Sequence, residues 1–153
     1  MAETAAPSVR SAMPALALNE GVWEGTYRSV TSRIVLLQQW DFRIEIALSD
    51  DPQVAYRQRT TYTYPDGAVR QLEFTAQFDG TRIHWANERF SGLMWEAGPQ
   101  LLIAQMRFAN DPNAVVDGIV RMAVDGSSRS RIEKLSENGR VKSIMLVDER
   151  RVD

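Results

Sequence analysis

Residues 56–64 read Tyr-Arg-Gln-Arg-Thr-Thr-Tyr-Thr-Tyr, and their even positions carry Tyr56, Gln58, Thr60, Tyr62 and Tyr64. Successive side chains of a strand point to opposite faces. One face of this segment therefore presents three phenols, an amide and a hydroxyl. The other carries Ala55, Arg57, Arg59, Thr61 and Thr63, which suits solvent. The even row sets flat apolar rings beside hydrogen-bonding groups. Such a lining fits an aromatic or oxygenated small molecule. Two further residues fit proton transfer. His84 is the one histidine of the chain, and its side chain titrates near neutrality. Either Ile83 and Trp85 face inward and His84 faces solvent, or the reverse. Glu149 shares a face with Val141, Ser143, Met145 and Val147, while Ile144 and Leu146 lie on the other. If the first face is the inner one, Glu149 is enclosed, where it is costly unless paired and desolvation raises its pKa. The candidate catalytic residues are thus Tyr62, Tyr64, His84 and Glu149. The candidate ligand contacts are Trp40, Phe42, Tyr56, Gln58, Thr60 and Phe74.

Composition removes many alternatives. There is no cysteine, which excludes disulfides, thiolate zinc sites, iron–sulfur clusters and thiol nucleophiles. One histidine cannot build a multi-histidine metal centre, so no metal site is expected. Eighteen basic residues against 20 acidic give a net charge of −2, without the basic surplus of a nucleic-acid binder. Arginine outnumbers lysine 16 to 2, and the arginines, scattered along the strands, read as solvated faces. No glycine-rich nucleotide motif occurs. What remains is cofactor-free acid–base chemistry on a small hydrophobic substrate: a lyase, isomerase, cyclase or decarboxylase. The alternative is a non-catalytic binder of a lipid, pigment or tetrapyrrole; for heme, His84 would be the axial ligand. A third is an interaction domain with a filled interior.

The elements that must position these residues alternate with period two from Gly21 onward. In 34–48, Ile34, Leu36, Trp40, Phe42, Ile44, Ile46 and Leu48 take the even face, and Arg33, Gln39, Asp41, Arg43 and Glu45 the odd one. In 71–78 the even face is Leu72, Phe74, Ala76 and Phe78. This is the pattern of strands with one buried face. Pro65-Asp66-Gly67, Asp79-Gly80, Asp125-Gly126 and Asn138-Gly139 are hairpin signals, because these residues tolerate positive φ. Asn110-Asp111-Pro112-Asn113 reads as a longer loop. The strands expected are 22–30, 34–48, 53–64, 68–78, 81–87, 92–97, 100–108, 115–124, 127–135 and 140–150. With short connections they form an antiparallel all-β meander, and closing it into a barrel removes the exposed edges. Residues 1–12 read as a flexible tail, and 13–20 as a helical turn with Pro14 near its start and Asn19 near its end. The tail has neither the basic start nor the unbroken apolar run of a secretion signal. No apolar run is long enough for a membrane helix, so the protein is placed in the cytoplasm with no membrane partner. Four tryptophans in a small barrel point to a homodimer.

Gly21-Val22-Trp23, opening the first strand after the helical turn, resembles the Gly-x-Trp signature of the calycin superfamily. Asn19–Tyr27 and the ending Leu146–Arg151 are similar to bacterial lipocalin-like domains of unknown function. The resemblance covers about residues 16–152. It implies one lipocalin-like β-barrel of eight to ten strands over residues 13–153, with an interior ligand cavity. It also implies that Trp23 closes the barrel floor beneath an arginine from the last strand, Arg150 or Arg151, as a cation–π contact. Tyr62-Thr63-Tyr64 resembles, locally, the paired tyrosines that orient the substrate in phenolic-acid decarboxylases of the same fold.

Overall fold

The computed structural model describes residues 6–153. Two helical turns, α1 (Val9–Ala12) and α2 (Pro14–Ala17), precede ten strands. These are β1 (Gly21–Val30), β2 (Leu36–Leu48), β3 (Tyr56–Thr63), β4 (Val69–Phe78), β5 (Ile83–Ala86), β6 (Phe90–Gly98), β7 (Leu101–Phe108), β8 (Asp111–Met122), β9 (Ser128–Glu137) and β10 (Arg140–Arg151). Each strand pairs antiparallel with the next, and β10 returns to β1, so the meander closes into a barrel. The turn glycines Gly67, Gly80, Gly126 and Gly139 all hold positive φ, as the hairpin signals require.

The inward faces follow the alternation of the sequence. In β2, Phe42, Ile44, Ile46 and Leu48 are buried, and Trp40 is half-buried above them. Ile34 and Leu36, expected on the same buried face, are instead 64% and 54% exposed. The reason is topological: β3 pairs with β2 only from Asp41 onward, so the start of β2 runs past the barrel wall, beside β1 alone. Two boundaries also move. Asp51 accepts a hydrogen bond from the Gln53 amide and opens a 3-10 turn over Pro52–Val54, so β3 begins at Tyr56. The expected loop at 110–113 is mostly strand: Phe108 pairs with Asp111 through a register shift, leaving Ala109 and Asn110 as the turn.

Of the expected tail over 1–12, residues 1–5 lie outside the described residues. From Ser8 on, the segment is folded against the barrel. The Ser8 hydroxyl accepts from the Ser11 amide and caps α1, and Val9 is buried in the core. Met13 and Leu16 plug the barrel floor, where the Leu16 amide donates to a Glu96 carboxylate oxygen at 3.0 Å. Trp23 is fully buried there, and its indole N–H donates to the Asn19 carbonyl at 2.9 Å. The arginine over Trp23 is Arg151, 4.5 Å from the ring centroid, and a second guanidinium, Arg129, lies 4.6 Å from it. Among the described residues, no helix is long and apolar enough to cross a membrane.

Candidate functional site

A cavity of about 580 Å³ occupies the barrel interior, within the usual range for small-molecule sites. Gln58, Thr60 and Tyr62 line it from β3, Leu72 and Phe74 from β4, Trp85 from β5, and Met94 from β6. Ala104 and Met106 (β7), Val116 and Gly118 (β8), and Arg131 and Glu133 (β9) complete the walls. Its outer end is edged by the exposed residues Arg70, Glu88, Arg89 and Asn110. Beneath it lies a void of about 70 Å³ that shares Gln58, Arg131 and Glu133 and reaches Tyr56 and Arg129. A larger depression of about 720 Å³ lies on the outer wall over β10, β1, β2 and β3. Its lining includes Glu24 and Arg43, which pair with each other at 2.8 Å. Being solvated and self-paired, it is the poorer site.

Small residues keep the interior open. Gly118 and Ala104 face each other across the β7–β8 ladder, and a Cβ at Gly118 would meet nothing closer than 3.5 Å. Gly92 does the opposite work: a Cβ there would collide with the Trp85 ring and the Gln105 carbonyl. The Trp85 ring therefore takes the space over Gly92, and its centroid lies 5.2 Å from that of Phe74 with the rings tilted by 42°.

The β3 row forms a hydrogen-bonded ladder along the barrel. The Tyr56 hydroxyl donates to Gln58 Oε1 at 2.6 Å, and Gln58 Nε2 donates to Thr60 Oγ1 at 3.0 Å. Burial pushes the Tyr56 phenol up to about 12, raises that of Tyr62, and holds that of Tyr27 well above its ordinary value. These phenols remain protonated at neutral pH and act as hydrogen-bond donors, not as bases. Tyr27 stacks on Trp40 at 5.4 Å and meets Tyr62 edge-on at 5.7 Å.

At the floor sits a cluster of buried charges. Glu149, whose side chain is 0% exposed, accepts from Arg129 at 2.7 and 2.8 Å and from Arg131 Nε at 2.7 Å. Arg131 Nη1 donates to Glu133 at 2.8 Å. The Arg131 guanidinium also lies 5.0 Å from the Tyr27 ring centroid and 5.5 Å from that of Phe42. Burial opposes ionisation of Glu149, but the charges of Arg131 and Arg129 outweigh it and hold the carboxyl below its ordinary value. Enclosure alone would have raised it; the pairing reverses the sign. Among the described residues, three buried nitrogens, Arg131 Nη2, Trp85 Nε1 and Trp40 Nε1, have no hydrogen-bond partner. Two of them belong to residues of the cavity wall.

The cavity thus gathers Gln58, Thr60, Tyr62 and Phe74 among the residues expected from sequence, with Tyr56 in the void below. It leaves out the others. Phe42 lies behind Tyr27 and Arg131, while Trp40 packs between Tyr27 and Tyr64 beyond the end of β3. His84 alternates with the buried Ile83 and Trp85, so it points away from the interior and cannot serve a heme inside it. Glu149 faces inward but is locked by two arginines. Arg129, Arg131 and Glu133 were not singled out in the sequence, and the reading of all arginines as solvated fails for the first two. Over 128–134 neither face of β9 is apolar, the even one carrying Ser128, Ser130, Ile132 and Lys134, so the sequence alone did not say which row turns inward. Of the four tryptophans, Trp23, Trp40 and Trp85 turn inward, which leaves Trp95 to carry the case for a dimer.

No family model matches the chain, and no curated protein matches it in sequence. Solved structures do share its fold. The S-type phycobiliprotein lyase CPES from Guillardia theta superposes with a TM-score of 0.71 at 11% identity, over 96% of this chain and 94% of that one. A protein of unknown function from the DUF3598 family of Nostoc punctiforme PCC 73102 gives 0.65 at 14% identity over 90% of this chain. The present chain spans 48% of that protein's length, about half. EF1p2_mFAP2b, solved bound to DFHBI, gives 0.51 at 12% identity, over 90% of this chain and 97% of that one. At such identities the likeness is one of fold. In fold, the chain is a closed, ten-stranded, lipocalin-like antiparallel barrel.

Proposed function

We propose that this protein binds a small, flat, largely apolar molecule inside the barrel, and that it acts as a carrier or presenting protein. The observation that supports this most is the 580 Å³ cavity walled by Phe74, Trp85, Phe90 and Tyr62. Rings of this kind bind a planar ligand by area and by offset stacking. The ladder from Tyr56 to Thr60 and the donors of Arg131 and Trp85 suit a ligand that bears oxygen acceptors. Acid–base catalysis has weaker support. Its four candidates are dispersed: Tyr62 in the cavity, Tyr64 beyond the end of its strand, His84 on the outside and Glu149 tied up beneath. The lyase named for phycobiliproteins and the barrel bound to DFHBI favour small-molecule handling, a tetrapyrrole included.

A neutral fluorescent probe, N-phenyl-1-naphthylamine, tests the reading. It should bind the wild-type protein saturably. Gly118→Leu, whose Cβ has room at ordinary van der Waals distance and whose branch lies at the cavity wall, should weaken binding at least tenfold while circular dichroism stays unchanged. Equal binding by both proteins would place the probe elsewhere and end the proposal.

A further inference from the structure

The charges around the cavity are arranged by depth. Its inner end holds two guanidiniums, Arg129 and Arg131, and two carboxylates, Glu133 and Glu149, joined by hydrogen bonds. That end is electroneutral. An anionic ligand group placed there would add an uncompensated buried charge, which is costly. The outer end differs. Arg70 continues the inward row of β4 beyond Leu72 and Phe74, directly across from Tyr62. Arg89 lies in the β5–β6 turn, where its amide donates to Asn87 Oδ1 at 2.8 Å and its carbonyl accepts from the Ala109 amide at 2.8 Å. Among the described residues neither arginine has a carboxylate within ion-pair distance; Arg33, Arg107, Arg121, Arg140 and Arg150 share that, but of these unpaired arginines Arg70 and Arg89 are the two that edge the cavity. Glu88 edges the same opening and partly offsets them.

We propose that the ligand is an amphipathic anion held in one orientation. Its neutral planar body lies inward against Phe74 and Trp85, and its carboxylate or equivalent anionic group stays at the mouth facing Arg70 and Arg89. This rests on the binding reading above and adds ligand class and polarity to it. Guanidinium groups recognise carboxylates through paired donors. At the mouth they do so without the desolvation that an inner site would demand.

A matched pair of probes separates the two readings. N-phenyl-1-naphthylamine is neutral, and 1-anilinonaphthalene-8-sulfonate carries the same ring system with an anionic group. The double variant Arg70→Gln/Arg89→Gln should weaken the sulfonate by roughly three- to tenfold, the scale of two exposed ion pairs, and leave the neutral probe unchanged. Glu88→Gln should tighten the sulfonate, and 0.5 M salt should erase most of the difference. All three substitutions are at exposed positions, so the fold should survive. If the sulfonate is insensitive to all three while the neutral probe still binds, the mouth proposal fails and the cavity reading stands. If neither probe binds the wild-type protein, both fail.

Discussion

Glu149 carries the largest electrostatic stake in the molecule, because one fully buried carboxylate accepts from two largely enclosed guanidiniums, Arg129 and Arg131. Glu149→Gln would leave Arg129 and Arg131 with only Glu133 between them. Removing one partner of a buried pair typically costs about 3–5 kcal/mol, and the variant's melting temperature at pH 7 should fall accordingly. The pH dependence has a definite sign. A carboxyl whose folded pKa lies below its ordinary 4.5 contributes stability above that value, and the contribution is lost as pH falls through the lower folded value. The wild-type protein should therefore lose melting temperature on acidification below that point more steeply than the glutamine variant does. Parallel acid limbs would show that Glu149 is not the group responsible. The buried phenols act at the opposite extreme. Tyr56, raised from 10 to about 12, favours the fold below pH 10 and ceases to do so as pH climbs through 12; Tyr56→Phe should show a shallower alkaline decline. The alternation of β10 left Glu149's direction open, because both of its faces carry apolar residues. The partners of Glu149 were hidden too, since they come from another strand and the register between strands is invisible in a single chain.

The strands differ in how much they disclose. In β2 and β3 one face is apolar or aromatic and the other charged, so side-chain direction followed from period two alone. In β9 the faces read Arg129, Arg131, Glu133 and Ser130, Ile132, Lys134, and neither looks like a core. Only the closed topology, which forces one row of every strand inward, decides between them. The β1–β2 hairpin shows the reverse failure. Its even positions look buried, yet Ile34 and Leu36 are 64% and 54% exposed because no third strand reaches them. Ile34 also holds φ at 64°, a region that β-branched residues avoid. Ile34→Gly should relieve that strain with no packing to lose, for a net gain of about 0.5–1 kcal/mol after the entropy of glycine is subtracted. A rise of about 2 °C in melting temperature is the corresponding readout. A lower value would show that the Ile34 side chain is held by contacts of its own.

As a whole, the molecule is a barrel sealed at one end and furnished at the other. The floor is Trp23 between two guanidiniums, with Met13 and Leu16 packed beneath it. The cavity above is kept open by Gly118 and Ala104 and walled by rings. Strand count, closure and the phenol row of β3 were all readable from the chain. The charged floor, the exclusion of His84 and the free arginines of the mouth required the register of ten strands at once. Everything functional depends on the interior being vacant enough for a guest. A crystal structure grown with N-phenyl-1-naphthylamine asks this most directly. The account predicts the naphthyl ring inside the barrel, against Phe74 and Trp85 and beside Thr60. An interior closed by its own side chains, with the probe absent or lodged on the outer wall near Glu24 and Arg43, would contradict it.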